Sequence, residues 1–413
     1  MSCVDRESVL VAIEDSSRLP RAQPAAKAVR LEVKRLSGPE ELFVLGRECD
    51  ELAGSMRPRL PFSTSTWLGL WWRHYSEQRL LVNDRFFVHT FRDENGVLRG
   101  VAPLMLTERP GKGPLRARTL AFFGGDKSIT ELRGMICSPE YEGAVVQALL
   151  VHATRRADEW DWFTWNGVRR GTEAHRILDA TPNFQWTRET TDHVLSLPGS
   201  WQEFRAGRSR NIKESLRKCY NSLKRDGHEF RFRAVSDPAE LPSALASFIR
   251  LHALRAEASE LVPHANVFAA HRARDLLQGI AAEPTRTLSL CVFQLEIAGK
   301  VVAARLGFVL EDELYLYFSG FEPAWGKYSV MTTTVAETIK WAIERRFRTV
   351  NLSPGTDVSK TRWGATAITT HNGVLVSAER RGQWVFRVLS ELNEFSRRGK
   401  LLGSLVNRAR RLG

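Results

Sequence analysis

The feature that most limits how this chain folds is an order of predicted elements that occurs twice. In the first half, helical patterns precede a hairpin over Arg85–Arg109, whose Asn95-Gly96 turn tolerates positive φ, and then come a strand, a helix and a strand. In the second half, helical stretches precede an antiparallel meander over 286–321, and a helix and a strand again follow. The repeat predicts an α/β (α+β) protein of two similar units, each with a mixed, largely antiparallel sheet flanked by helices.

The chain length agrees with such a division. At 413 residues the sequence is long enough for two or three domains, since a domain averages about 150 residues. The boundary between the two units is predicted near Pro198-Gly199. We therefore expect four segments, which are a flexible leader (1–28), an amino-terminal unit (29–198), a carboxyl-terminal catalytic unit (199–382) and a basic amphipathic helical tail (383–413).

Composition excludes several classes of protein. The five cysteines are scattered, and none has the spacing of a metal ligand set or of a disulfide framework. The start of the chain lacks the pattern of a signal peptide, and charges interrupt every apolar run well before the roughly 18 residues of a membrane span. The sequence thus predicts a cytoplasmic protein without a metal ion.

The net charge of +13 favours an anionic partner, although an arginine bias of the genome explains it equally well. A strongly basic helix is predicted over 200–227, and it either contacts a phosphorylated ligand or is simply solvated. The basic tail either lies on an anionic membrane surface, which would place the protein at the periphery of the inner membrane, or packs on the carboxyl-terminal unit. No nucleic acid is expected, because the basic residues are not interleaved with aromatic ones.

A turn in the second half has the features of an anion site. A strand ends at Ser319-Gly320-Phe321, and a helix is predicted to begin near Ser329. The amino end of a helix presents unpaired N–H groups and partial positive charge, so a pyrophosphate can bind there. The alternative is an ordinary turn with a serine cap. The predicted phosphate-binding residues are Gly326, Lys327, Ser329, Val330, Met331 and Thr332.

A second loop, over Val350–Ala365, follows that helix by one strand. A Pro-Gly break brings Asp357, Lys360 and Trp363 into the loop, and Gly355 allows the sharp bend. Lys360 is expected to contact an oxyanion or phosphate, and Trp363 to wall a pocket. The alternative is a surface lysine with the tryptophan packed beneath it.

These motifs occur in an order that resembles a known family. The order comprises Tyr315-x-Tyr317-x-Ser319-Gly320-Phe321, then Trp325-Gly326-Lys327-Tyr328-Ser329, then Gly355-x4-Lys360-x2-Trp363-Gly364. It is similar to that of GNAT-fold acetyltransferases of the CelD/BcsL type, which share a domain with the Fem aminoacyl transferases. The resemblance spans 32–378, with departures at Asn351 and Ser353 in place of an acidic residue, Ser359 in place of an aromatic one, and Val330-Met331 in place of a small residue and glycine.

The resemblance implies tandem GNAT-like domains and transfer of an acyl group from acetyl-CoA or another acyl-CoA to an amine or a hydroxyl. The acceptor would be a sugar or amine in bacterial exopolysaccharide or cell-envelope (cellulose-type) biosynthesis. Lys360 would contact the carbonyl or acceptor, Tyr328 and Tyr317 would donate a proton, and Asp357, Glu322 or a water would be the base. The implied substrate-binding residues are His252, Arg255, Ser319 and Trp363.

Two other functions remain open at this stage. One is a Fem-like transferase that takes an aminoacyl group from charged tRNA; the long coiled-coil hairpin that many Fem proteins carry is absent from the sequence. The other is a noncatalytic adaptor that binds a membrane or nucleic acid on a degenerate GNAT fold.

Overall fold

The structure is a computed structural model that describes residues 6–13, 27–110, 116–126, 129–258 and 265–392. These residues form strands and helices, which are numbered here in chain order. The strands are β1 (Arg6–Ile13), β2 (Lys27–Arg35), β3 (Gln78–Arg79), β4 (Val82–Phe86), β5 (His89–Arg92), β6 (Leu98–Ala102), β7 (Leu104–Arg109), β8 (Ala117–Phe122), β9 (Ile136–Cys137), β10 (Trp162–Arg169), β11 (Phe184–Ser196), β12 (Phe230–Val235), β13 (Ser289–Ile297), β14 (Lys300–Leu310), β15 (Glu313–Phe321), β16 (Thr349–Pro354) and β17 (Thr366–Val376). The helices are α1 (Pro39–Val44), α2 (Gly46–Ser55), α3 (Ser65–Tyr75), α4 (Glu142–Arg155), α5 (Glu173–Asp179), α6 (Trp201–Ala206), α7 (Arg210–Arg225), α8 (Leu241–Glu257), α9 (His271–Ala282), α10 (Val330–Glu344) and α11 (Val358–Thr361), and residues 380–392 are also helical.

One large sheet runs through both halves of the chain. Its 12 strands have the order β12-β13-β14-β15-β16-β11-β17-β10-β8-β7-β4-β3, and a second sheet has the order β1-β2-β5-β6-β9. Most neighbouring strands are antiparallel, and helices cover the sheets. The predicted fold class is therefore confirmed as mixed α/β with largely antiparallel sheets.

The last strand of each half lies among strands of the other half. Strand β11 ends the amino-terminal half but pairs with β16, with Asp192 opposite Pro354. Strand β17 comes from the carboxyl-terminal half but pairs with β10, with Trp162 opposite Val376. The predicted boundary near Pro198 falls in the connection after β11, so it divides the chain but not the sheet.

The parallel strands β15 and β16 separate part-way along their length. They pair at three positions, from Glu313 opposite Thr349 to Tyr315 opposite Asn351, although both strands continue further. Ser353 has a φ of 69°, and its N–H binds Asn351 Oδ1 at 2.8 Å. This irregular backbone turns the end of β16 towards β11, and a gap opens beside β15.

The two halves share one hydrophobic core across this sheet. Trp67 of α3 packs edge-on against Tyr317 of β15, with ring centroids 6.3 Å apart. Helix α8 lies directly on β15, because a Cβ added to Gly320 would stand 2.3 Å from the backbone nitrogen of His252. The contacts fix β15 relative to both halves.

The structure describes only part of the predicted leader and of the predicted tail. Most of the predicted leader lies outside the described residues, but Arg6–Ile13 form β1, which pairs antiparallel with β2. The Ser-Val-Leu-Val-Ala-Ile run of this segment suits a strand. The flexible leader as a whole, 1–28, stays a prediction. Residues 383–392 belong to the last described helix, and the rest of the predicted tail, 393–413, lies outside the described residues.

Candidate functional site

A cavity of about 1090 Å³ opens where β15 and β16 separate. Residues 317–319 of β15 and 353–354 of β16 line one end of the cavity. The segment 130–133 and strand β10 of the amino-terminal half line the other end. The cavity therefore joins the gap between the parallel strands to the interface between the two halves.

Lys360 is held at the carboxyl-terminal end of the cavity by α11. The Asp357 side chain caps this helix, with Oδ1 accepting from Ser359 N at 3.1 Å. The Lys360 ammonium donates to the Pro354 carbonyl and lies 3.7 Å from Asp357 Oδ2. Gly355 has a φ of 131°, and a Cβ there would stand 2.9 Å from Lys360 Nζ, so the predicted glycine bend is required.

These contacts set the charge of both side chains. Burial, together with the nearby Arg305 cation, lowers the pKa of Lys360. Burial acts to raise the pKa of Asp357, but the hydrogen bonds from Ser359 and the Lys360 charge outweigh it, so the pKa of Asp357 is lowered. Asp357 is thus a stable anion rather than a base.

A carboxyl group from the other half faces Lys360. Glu131 lines the cavity, and its Oε2 accepts a hydrogen bond from Tyr315 OH at 2.7 Å. Burial raises the pKa of Glu131 to about 7, and the Tyr315 hydrogen bond and the charges of Lys360 and Arg305 limit the rise. A carboxyl that titrates near neutral pH is suited to general base chemistry. Sequence reasoning missed Glu131 because no local motif marks it.

Two further charged groups complete this cluster. The Arg305 guanidinium lines the cavity, its Nε has no hydrogen-bond partner within the described residues, and burial lowers its pKa to about 10. Asp192 of β11 accepts from Asn351 Nδ2 at 2.9 Å, and burial raises its pKa to about 6. The strand exchange therefore sets a carboxylate beside Asn351.

Three of the predicted substrate-binding residues meet in the same cavity. His252 and Arg255 of α8 share a face and line it with Ser319. The Arg255 guanidinium donates to Ser319 Oγ, and His252 Nδ1 lies 3.1 Å from the Ser319 carbonyl. Burial lowers the pKa of His252. Their role in binding a substrate remains a prediction.

Trp363 does not wall the cavity. Its side chain is fully buried in a core cluster with β16 and α10, and Nε1 donates to the Ser359 carbonyl at 3.1 Å. The indole packs beneath the loop because it is mostly apolar and its single donor is satisfied by the loop itself. This corrects the expectation that it borders the pocket.

The two predicted proton donors have different positions. Tyr317 lines the cavity, but its hydroxyl donates to the Ile129 carbonyl and so joins the two halves. Tyr328 is not among the residues that line the cavity within the described chain, and its hydroxyl lies 3.0 Å from Asp226 Oδ2 and 3.2 Å from His228 Nε2. The structure does not bring Tyr328 together with Lys360.

The amino end of α10 lies beyond the cavity lining. Ser329 is exposed and left-handed (φ 53°), and its side chain makes no cap, so neither a serine cap nor a glycine makes this turn. Ser329 O accepts from Thr332 N at 2.8 Å and from Thr333 N at 3.3 Å. Within the described residues, the N–H groups of Val330 and Met331 have no backbone acceptor.

The other predicted phosphate-binding residues surround this end. Gly326 and Lys327 are exposed. A Cβ on Gly326 would meet only Phe321, at 3.6 Å, so close packing does not require this glycine. The Thr332 hydroxyl accepts from Arg362, a cation that sequence reasoning missed. The amides of Val330 and Met331 and the Arg362 guanidinium are the donors that a phosphate would use here. Phosphate binding at this end remains a prediction.

Part of the carboxyl-terminal half is similar to a known protein family. Residues 210–361, which carry β15, α10, β16 and α11, match the family described as Acetyltransferase (GNAT) domain. The carboxyl-terminal half therefore carries a segment that is similar to a GNAT acetyltransferase domain. The cavity thus opens at the separated parallel strands of the segment that matches this family, and the amino-terminal half supplies Glu131.

Solved structures similar to most of the chain include FemX, with 11% sequence identity, a TM-score of 0.52 and coverage of 79% of this chain and 95% of FemX. At this identity the likeness shows the fold alone. A C-terminal domain (DUF2156) described as part of a lysylphosphatidylglycerol synthetase from Agrobacterium fabrum has 12% identity, a TM-score of 0.48, and coverage of 85% and 95%. A tandem GNAT protein from the clavulanic acid biosynthesis pathway has 11% identity, a TM-score of 0.43, and coverage of 84% and 99%. No curated protein matches the chain.

Two further features of the described residues concern metal binding and membrane spanning. Among them, no group of three or more His, Cys, Asp or Glu side chains is arranged to hold a metal ion. None of the described helices combines the length and apolar character needed to cross a bilayer.

Proposed function

We propose that this protein is an acyltransferase that moves an acetyl or longer acyl group from acyl-CoA to an amine or a hydroxyl. One observation carries the proposal. Glu131, with a pKa of about 7, and the buried cation Lys360 share a cavity that opens where the parallel strands of the GNAT-like segment separate.

The proposed reaction uses these two groups in turn. The acceptor N–H or O–H attacks the thioester carbonyl carbon, and its proton passes to Glu131. Lys360 and Arg305 stabilise the oxyanion of the tetrahedral intermediate, as cations held in a buried site do well. The C–S bond then breaks, the acyl group stays on the acceptor, and the CoA thiolate takes up a proton.

The amino end of α10 suits the phosphates of the donor. The amides of Val330 and Met331, which have no backbone acceptor within the described residues, lie there near the Arg362 guanidinium, and exposed Lys327 adds positive charge. An acyl-CoA would then run from this end through the gap between β15 and β16 into the cavity.

The finer assignment of the acceptor depends on the resemblance to CelD/BcsL-type proteins. On that resemblance we propose that the acceptor belongs to exopolysaccharide or cell-envelope biosynthesis, and that the protein is cytoplasmic and peripheral to the inner membrane. The polar cavity, lined by Thr164, Thr187, Thr190 and Asn372, suits a hydroxylated or amine acceptor.

Ligand-induced stabilisation tests the proposal. Saturating acetyl-CoA or octanoyl-CoA should raise the melting temperature, because a ligand at 100 times its Kd stabilises the native state by about 2.7 kcal/mol. ATP at equal concentration controls for unspecific anion binding. Lys360→Met should keep the shift but lose acyl-CoA turnover. The proposal is wrong if neither acyl-CoA stabilises the protein more than ATP does.

A Fem-like aminoacyl-tRNA-dependent transferase is the second candidate, favoured by the alignment with 95% of FemX. It would bind charged tRNA with an affinity that excess CoA does not change, and acyl-CoA would not stabilise it. A gel-shift titration with charged and uncharged tRNA, with and without CoA, separates the two candidates.

A further inference from the structure

The cavity has a second polar end that the proposed chemistry leaves unused. It is formed by the amino-terminal half, where Arg133, Asn166 and Arg188 line the wall. We call these three side chains the distal cluster.

The half-buried Arg133 guanidinium has a donor that no described group accepts. Its Nη1 is shielded from solvent and has no hydrogen-bond partner among the residues that the structure describes. The group lies along Gly125, where an added Cβ would stand 3.5 Å from Nη1. Burial lowers the pKa of Arg133, and the neighbouring Arg188 cation lowers it further. Two guanidinium groups therefore line the same cavity, and Arg133 Nη1 is a donor that no described group accepts.

The Asn166 side chain has an unpaired hydrogen-bond acceptor, which complements the unpaired donor of Arg133. Its side chain is 4% exposed, and its Oδ1 has no hydrogen-bond partner within the described residues. The backbone holds it beside Arg133, since a Cβ on Gly134 would stand 2.8 Å from the Asn166 carbonyl, and one on Gly167 would stand 2.4 Å from the Arg133 carbonyl. An unsatisfied buried polar atom costs free energy unless a ligand pairs with it.

The charges that line the cavity are unbalanced in favour of cations. Asp126, the carboxylate that acts on Arg133, is engaged by its own loop and by the Trp71 indole, whose Nε1 donates to Oδ2 at 2.7 Å. Among the residues that the structure describes, five cations and three carboxylates line the cavity. They are Arg133, Arg188, Arg255, Arg305 and Lys360, and Asp126, Glu131 and Asp357.

We propose that the distal cluster binds the acyl acceptor, and that this acceptor carries a phosphate or a carboxylate. The inference rests on the acyltransferase function proposed above. Arg133 and Arg188 pair with the oxyanion, and Asn166 Oδ1 accepts from a hydroxyl or amine of the same molecule. Arg133 follows Glu131 by two residues, so their Cα atoms are at most about 7 Å apart. One small molecule can therefore reach the base and the distal cluster together.

Calorimetric titration of the full chain with inorganic phosphate and with malonate, at constant ionic strength, tests the proposal. Wild-type protein should bind at least one of them. Arg188→Ala, an exposed site that tolerates truncation, and Arg133→Lys, which keeps the charge but loses the planar fork, should each weaken binding by about tenfold or more. Arg47→Ala, at an exposed arginine outside the cavity, is the matched control and should bind as wild type does. Preference between the two probes distinguishes a phosphate-bearing from a carboxylate-bearing acceptor.

Acetyl-CoA is titrated into the same proteins to separate this inference from the function on which it rests. Retained acetyl-CoA binding with weakened anion binding in both variants supports the proposal. Equal anion affinity in all four proteins, or no binding of either anion, overturns it. A loss of acetyl-CoA affinity in the variants also overturns it, because the cluster would then serve the donor. Failure of wild-type protein to bind acetyl-CoA contradicts the proposed function instead.

Discussion

At the scale of single residues, the site depends on buried charges whose pKa values burial has moved towards neutrality. The pKa of Glu131 rises to about 7 and that of Asp192 to about 6, while the pKa of Lys360 falls. Burial disfavours the charged form of every one of these groups, and their mutual attraction only partly offsets it. Proton transfer at neutral pH is thus possible without an exposed catalytic histidine.

Glu131→Gln should lower kcat by about 10²–10⁴-fold, since it removes the proposed base. In the wild type, kcat/KM should rise with pH through about 7 as Glu131 ionises, and the glutamine variant should lose this rise. Steady-state measurement of thiol release from acetyl-CoA between pH 5.5 and 8.5 gives both results. An unchanged profile in the variant would exclude Glu131 as the base.

The same carboxyl should affect folding stability. Its folded-state pKa lies above the ordinary value of 4.5, so the folded protein binds a proton more tightly than the unfolded chain does. The free energy of unfolding should therefore decrease as pH rises from about 4.5 to about 7. Glu131→Gln should flatten this part of the curve in urea titrations, and a parallel decline in both proteins would contradict the assignment.

Lys360→Met should lower kcat by about 10²–10³-fold with little change in acetyl-CoA affinity, because the cation acts on charge that develops only in the transition state. Because methionine is unbranched and similar in size to lysine, the substitution should remove the charge with little effect on the fold. Kinetics and calorimetry on the same preparation measure the two quantities. An increased Kd with an unchanged kcat would assign Lys360 to ground-state binding.

At the scale of elements, the decisive feature is the separation of β15 from β16 beside α8. The sequence predicts these elements and places Lys360, Asp357, His252 and Arg255 near them, because each follows a local strand, turn or helix pattern. It cannot show Glu131 or Asp192, which reach Tyr315 and Asn351 across 184 and 159 residues of chain. The turn before α10 also escaped prediction, because an exposed serine, not a glycine, adopts the left-handed conformation there.

Gly320→Ala should lower the free energy of unfolding by about 1–3 kcal/mol or more, because the added methyl would overlap the backbone of α8 at His252. Since α8 cannot move without shifting His252 and Arg255, activity should fall too. Gly326→Ala is the matched control, as its Cβ would have room, and its stability should stay within about 0.5 kcal/mol of wild type. Equal stabilities in urea denaturation would refute the close contact.

At the scale of the whole molecule, the exchange of β11 and β17 joins the two halves of the chain into one sheet. Each of these strands pairs with a strand of the other half, so neither half has a complete sheet of its own. The repeated element order predicts two units, but a pattern within one half cannot reveal which strands lie next to each other across the boundary.

The two halves, 1–198 and 199–413, should therefore fail to fold when expressed separately and should associate when co-expressed. Full-length protein should unfold in a single transition for the same reason. Circular dichroism and gel filtration of each fragment and of the pair check this. Two independently folded fragments would contradict the proposed dependence.

The ribosome makes the paired strands of this sheet at very different times. Strand β10 is made early, yet the partner for its second edge is β17, which ends at Val376. A nascent chain thus carries an open strand edge until residue Val376 has left the ribosome. Exposed edges invite pairing with other chains, so the interval between translation of Trp162 and translation of Val376 is when this protein is most prone to aggregate.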